Sequence, residues 1–125
     1  MINWDEVDAK VKVFSYEGRK CEGKVVKVYD GDTITVLIDL GFGVTFKEKV
    51  RLYGINTPEI RGKERPDGLI SRDRLRERIL DKDVIIKTLK DKKGKYGRYI
   101  AEVYLEEENI NNWLVSEGLA ERRDY

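Results

Sequence analysis

The stretch "CEGKVVKVYDGDTITVLIDLGFGVTFKEKVRLYGIN", residues 21–56, decides the fold. Val and Tyr recur through "GKVVKVYDG", and "TITVLIDL" alternates so that Ile34, Val36 and Ile38 share one face. Alternation with a period of two, in β-branched residues, is the pattern of a half-buried strand. "GFG" at 41–43 is a turn signal, and "VTFKEKVRLYGI" resumes the strand pattern after it. The stretch therefore reads as a meander of three strands.

Downstream, "GLISRDRLRERILDKD" reads as a helix. Gly68, Ser71, Leu75 and Ile79 fall at helical spacing and leave a narrow packing stripe among charges. "DVIIKTLK" is a fourth strand, "DKKGKYG" a basic loop broken by glycine, and "RYIAEVYLE" a fifth strand. "ENINNWLVSEG" is a short helix with Ile110, Trp113 and Leu114 on one face and Gly118 as its C-terminal stop. Three strands, a helix, two strands and a helix is the order of a five-stranded OB-type Greek-key barrel with two packed helices, an α+β fold that is mainly β. Residues 1–14 fit a short helix or a leading strand and are set apart as an N-terminal extension. Residues 15–125 are expected to form a single domain.

Composition narrows the chemistry. A chain of 125 residues supports one domain with a modest core. The net charge is only +1, so a nucleic-acid site has to come from local clustering. The single cysteine, Cys21, excludes an intramolecular disulfide and a cysteine zinc cluster. "MINWDEVDAK" lacks the basic start and apolar run of a signal peptide, so a cytoplasmic location is expected, with no membrane association. The chain has no histidine. Acid–base work then falls to carboxylates, lysine or tyrosine, and a metal site must be lined by oxygen, which favours Ca²⁺ or Mg²⁺.

Three short motifs carry polar groups beyond structural need. "DGDT", Asp30 to Thr33, sets two acids about a glycine between strands, although Asp-Gly alone is an ordinary turn signal. "RLYGINTPE", residues 51–59, ends a strand on Gly54 and blocks its continuation with Pro58. Neither need accounts for Arg51 or Glu59, although Arg51 could merely pair with an acid inside the barrel. "KGKYGRY", Lys93 to Tyr99, interleaves cations with tyrosine in a glycine loop, a composition suited to a phosphate and a stacked ring or to a plain charged hairpin tip.

Together with "INNWLVSEGLA", these motifs stand in the order and at the spacings of the staphylococcal nuclease (thermonuclease) family, which the chain resembles from about Val25 to Ala120. The resemblance implies an OB barrel with helices and a calcium-dependent phosphodiesterase acting on DNA and RNA. Asp32 then resembles a calcium ligand, Thr57 a main-chain carbonyl ligand, and Asn56 stands where active members carry an aspartate ligand. Glu59 resembles the acid that orients or deprotonates the attacking water. Arg51 and Arg98 match the two arginines that hold the phosphate. Lys95 and Tyr96 match the lysine and tyrosine beside the nucleotide's terminal phosphate.

The chemistry suits that grouping. A phosphodiester is an anion and repels hydroxide until its charge is neutralised, which a divalent cation and two guanidinium forks accomplish. The expectation is a metal-dependent nuclease, using Ca²⁺ with Mg²⁺ as the lesser candidate, acting as a monomer on DNA and RNA with single strands favoured. The competing reading is a non-catalytic nucleic-acid- or protein-binding OB module of the same superfamily. Such a module has no use for Arg51, Glu59 and Arg98 together.

Overall fold

A computed structural model describes residues 20–93 and 99–123, with side chains described for 21–89 and 99–123. The proposed extension at 1–14 lies outside the described residues. β1 (Lys20–Asp30), β2 (Thr33–Gly41) and β3 (Val44–Leu52) form the expected antiparallel meander. β4 (Ile55–Asn56) is a short strand beyond Gly54, whose φ of +78° makes the turn that glycine adopts without strain. β5 (Asp83–Lys93) pairs antiparallel with β1, and β6 (Tyr99–Leu105) pairs antiparallel with β5. β6 then runs parallel to β3, with Arg51 opposite Ile100 and Leu52 opposite Ala101. That last pairing closes β1, β2, β3, β5 and β6 into a barrel and leaves no open edge between them.

The alternation read from sequence supplies the interior. Ile34, Val36 and Ile38 are buried and pack with Val25, Val28, Val50, Leu52, Ile86 and Val103. α1 (Arg65–Ile79) caps the barrel. It begins three residues before Gly68, because Pro66 sits in the first turn, where its fixed φ suits the helix and its missing N–H costs nothing. Its buried residues are Gly68, Ser71, Leu75 and Ile79, the stripe expected from spacing. Gly68 is required by contact: a Cβ there would lie 2.2 Å from the Glu59 carbonyl oxygen. The helix backbone therefore rests directly on the segment that carries Glu59.

β7 (Glu108–Asn109) leads into α2 (Ile110–Ser116), whose first turn is capped by the Asn109 side chain accepting from the Asn112 N–H at 3.1 Å. Here the structure differs from the periodicity. The buried set is Ile110, Asn111 and Leu114, while Trp113 is half-buried. The Trp113 ring lies under the guanidinium groups of Arg74 and Arg78, at 5.9 and 5.5 Å, and those arginines pair with Glu117 and Glu108. Asn111 faces inward instead. Its amide donates to the Tyr53 and Ala101 carbonyls, at 2.8 and 3.1 Å, and its oxygen accepts from the Val103 N–H at 3.2 Å. One side chain thereby bonds three backbone groups where β3 parts from β6, adding a second donor to the Ala101 carbonyl, which also accepts from the Tyr53 N–H at 2.8 Å.

Past Gly118 the chain returns to the barrel. β8 (Glu121–Arg122) pairs antiparallel with β4, Asn56 opposite Glu121, and the Arg123 N–H donates to the Gly54 carbonyl at 2.9 Å. Among the described residues no helix is long and apolar enough to cross a membrane.

Candidate active site

"DGDT" and "RLYGINTPE" meet because β2 and β3 pair with Thr33 opposite Arg51. The junction is tightened by the Leu52 N–H, which donates to the Asp32 carbonyl at 2.8 Å. Asp32 is buried, only 7% exposed, and its carboxylate is the hub of the cluster. Oδ2 accepts from the Thr57 N–H at 3.1 Å and lies 2.8 Å from Arg51 Nη1. Oδ1 accepts from the Thr33 hydroxyl at 3.3 Å. Arg51 reaches across the gap, and its Nη2 donates to the Ile55 carbonyl at 3.3 Å. A guanidinium and a backbone amide thus converge on one carboxylate, which fixes the "INTP" turn against the barrel rim.

The glycine of "DGDT" has a packing role as well as a turn role. A Cβ on Gly31 would lie 2.7 Å from Thr57 Cγ2 and 2.9 Å from Ser71 Cβ. Ser71 in turn donates its hydroxyl to the Leu119 carbonyl at 2.7 Å. Three distant segments, the "DGDT" loop, α1 and the stretch at Leu119, are therefore stacked in succession on the site turn.

Asp30, read from sequence as a turn residue, belongs to the cluster. Its Oδ1 accepts from the Asp32 N–H at 3.0 Å. Burial, then the neighbouring Asp32 carboxylate, push the Asp30 carboxyl up from its ordinary 3.8 to about 7, against weaker opposing hydrogen bonds from the Asp32 amide and Thr33. Two acids about one glycine are the available signal. The reason they matter is their shared, half-sheltered position.

Of the other residues picked out from sequence, Asn56 is half-buried on β4 and Thr57 is 4% exposed behind it. Glu59 is exposed, and its backbone N–H donates to Glu64 Oε2 at 3.2 Å. Lys95, Tyr96 and Arg98 lie outside the described residues. β6, which starts at Tyr99 just after them, pairs beside Arg51.

The oxygens at hand are the Asp30 and Asp32 carboxylates and, on the turn that Asp32 holds, the Asn56 amide and the Thr57 carbonyl, with no histidine in the chain. That donor chemistry fits a hard divalent cation such as calcium. Among the described residues no three His, Cys, Asp or Glu side chains form a metal cage. Neutral oxygens would have to complete the coordination.

Comparison with known proteins agrees with this geometry. The family described as "Staphylococcal nuclease homologue" matches residues 49–125. The chain is similar to a thermonuclease of Staphylococcus hyicus, 33% identical over 105 residues that cover 82% of this chain and 59% of the relative. It is similar to a thermonuclease of Staphylococcus intermedius, 34% identical over 104 residues, covering 81% and 59%. An uncharacterized endonuclease of Haemophilus influenzae is 35% identical over 97 residues, covering 78% and 49%. The chain thus spans about half to three-fifths of the length of these curated relatives. With the closed barrel, its two helices and the family match over most of its length, the chain belongs to the staphylococcal nuclease family.

Proposed function

We propose that the protein is a calcium-dependent nuclease that hydrolyses phosphodiester bonds in DNA and RNA. The observation that carries this reading is the convergence of Arg51 and the Thr57 amide on the buried Asp32 carboxylate. It puts an anchored guanidinium, an acid pair and a fixed carbonyl-bearing turn at one rim of the barrel.

On this reading Asp32, the Asn56 amide oxygen and the Thr57 carbonyl hold the cation, with Asp30 adding negative charge beside them. A cation held there would supply positive charge to the anionic substrate and would make water easier to deprotonate. Glu59, exposed at the mouth, accepts the proton of the attacking water. Arg51 has Nη1 on Asp32 and Nη2 on the Ile55 carbonyl, so it would exchange its Asp32 contact for the phosphate when a cation occupies that carboxylate, and there stabilise the extra charge on the phosphate oxygens in the transition state. Arg98 is assigned the second guanidinium contact, and Lys95 and Tyr96 the terminal phosphate of the bound nucleotide. The family names of the similar proteins, thermonuclease and endonuclease, support the same reaction class.

The test is incubation of purified protein with single-stranded DNA and RNA in calcium, magnesium or chelator. Cleavage in calcium that chelator abolishes, and that Glu59→Gln suppresses, is the expected result. Tight binding without cleavage in either metal would instead identify a non-catalytic binding module.

A further inference from the structure

Beside the acid pair lies a feature that takes no part in the proposed hydrolysis. Tyr29 directly precedes Asp30, and Arg61 follows Glu59 by two residues. Their side chains meet: Arg61 Nη2 donates to the Tyr29 hydroxyl at 3.3 Å. The contact joins the two segments that carry Asp30 and Glu59, so it stands at the rim of the site. Tyr29 is 41% exposed, so its ring face is open to solvent. Arg76 comes down from α1 and donates to the carbonyl of Val28, the residue before Tyr29, at 3.1 Å.

The charges matter because the molecule as a whole has almost none in excess. Among the described residues no carboxylate forms an ion pair with Arg61, and Arg76 has only Asp73, at 3.9 Å. An exposed aromatic ring whose hydroxyl meets Arg61, with Arg76 on the carbonyl of the preceding residue, combines a stacking surface with phosphate donors. Single-stranded nucleic acid is recognised by that combination.

We propose that Tyr29, Arg61 and Arg76 form an additional nucleotide subsite. It takes the nucleotide one step beyond the two that flank the scissile phosphate. The base stacks on Tyr29 and the phosphate engages the arginines. The inference rests on the nuclease reading for its location but not for its chemistry. A dinucleotide cannot reach the subsite, whereas a longer strand can.

The experiment compares wild type, Tyr29→Ala, Tyr29→Phe and Arg61→Ala on a dinucleotide and on a labelled single strand of about twelve nucleotides, within the footprint of such barrels. The quantity read is the ratio of kcat/KM on the long to the short substrate. Tyr29→Ala should lower that ratio about tenfold, the scale of one stacked base, mainly through KM on the long strand. Tyr29→Phe should restore it, because stacking survives without the hydroxyl. Arg61→Ala should flatten the salt dependence of long-strand binding by about one phosphate contact. An unchanged ratio in Tyr29→Ala would overturn the proposal. So would equal losses on both substrates, or a Phe variant as impaired as the Ala variant. If wild type cleaves neither substrate, the nuclease reading fails by itself. The subsite is then decided by fluorescence anisotropy of the same strand in chelator. There an approximately tenfold weaker Kd in Tyr29→Ala supports it and an unchanged Kd rejects it.

Discussion

Replacing Asp30 by Asn should stabilise the metal-free protein at neutral and alkaline pH while leaving it nearly unchanged in acid. In the folded protein the Asp30 carboxyl is pushed up to about 7, first by burial and then by Asp32. In the unfolded chain it returns to about 3.8. Between those values the folded state keeps a proton that the unfolded state has released. The contribution of Asp30 to stability is therefore greatest below pH 4, falls as pH rises through the window to about 7, and levels off above it. The full displacement corresponds to roughly 4 kcal/mol. Part of the carboxyl faces water, where screening weakens such effects, so about 1–2 kcal/mol is the expected net penalty. The substituted amide keeps an acceptor for the Asp32 N–H and has no charge to desolvate. Urea unfolding followed by tryptophan fluorescence, in chelator, checks this across pH 4 to 9, a range that brackets the window. The variant should gain on wild type progressively between acid and neutral pH and hold its advantage above. A stability difference independent of pH would refute the placement of Asp30 beside Asp32. Adding calcium should erase the advantage, because a cation bound by the pair stabilises wild type by mass action.

Glu59→Gln should slow cleavage by about 10²–10⁴-fold with an unchanged melting curve, since the side chain is exposed and its loss leaves the core intact. Asn56→Asp should tighten calcium binding about tenfold by calorimetry, the added charge being largely offset by desolvation and by its neighbouring acids. Asn111→Ala should lower unfolding stability by about 2 kcal/mol or more in urea, because the Val103 N–H loses this acceptor and the Tyr53 carbonyl this donor, while the Ala101 carbonyl keeps the Tyr53 N–H. Gly68→Ala should cost on the order of 1–3 kcal/mol and reduce cleavage as well, since the new methyl group collides with the carbonyl of Glu59.

The strands are legible because their period is two and their turns are marked by glycine. The α1 stripe is legible for the same kind of reason, and it includes Gly68 and Ser71, which an apolarity scan alone would pass over. On α2 the periodicity selects Ile110 and Leu114, which are fully buried, and Trp113, which packs against the edge of the core, but it passes over Asn111. Asn111 looks solvent-facing by type, and only the carbonyls of Tyr53 and Ala101 explain its burial. Its position beside Ile110 and one turn before Leu114 is the available clue. The site is legible only through resemblance. No local pattern states that Asp32 and Thr57 touch, 25 residues apart. Gly31 reads as a turn residue, whereas contact with Thr57 and Ser71 is what excludes a side chain there.

The pairing of β8 with β4 gives the molecule a built-in order of completion. The barrel closes with β6, which ends at Leu105, but the strand that pins Asn56 is Glu121–Arg122. A ribosome synthesising this chain therefore delivers every barrel strand before it delivers the segment that steadies the site turn. The anchors that Asp32 and Arg51 give to Thr57 and Ile55 come from strands made early, and the backbone pairing of Ile55 and Asn56 with β8 comes last. For a chain that cuts RNA, as proposed, the final backbone support of the "INTPE" turn is thus added only when β8 docks.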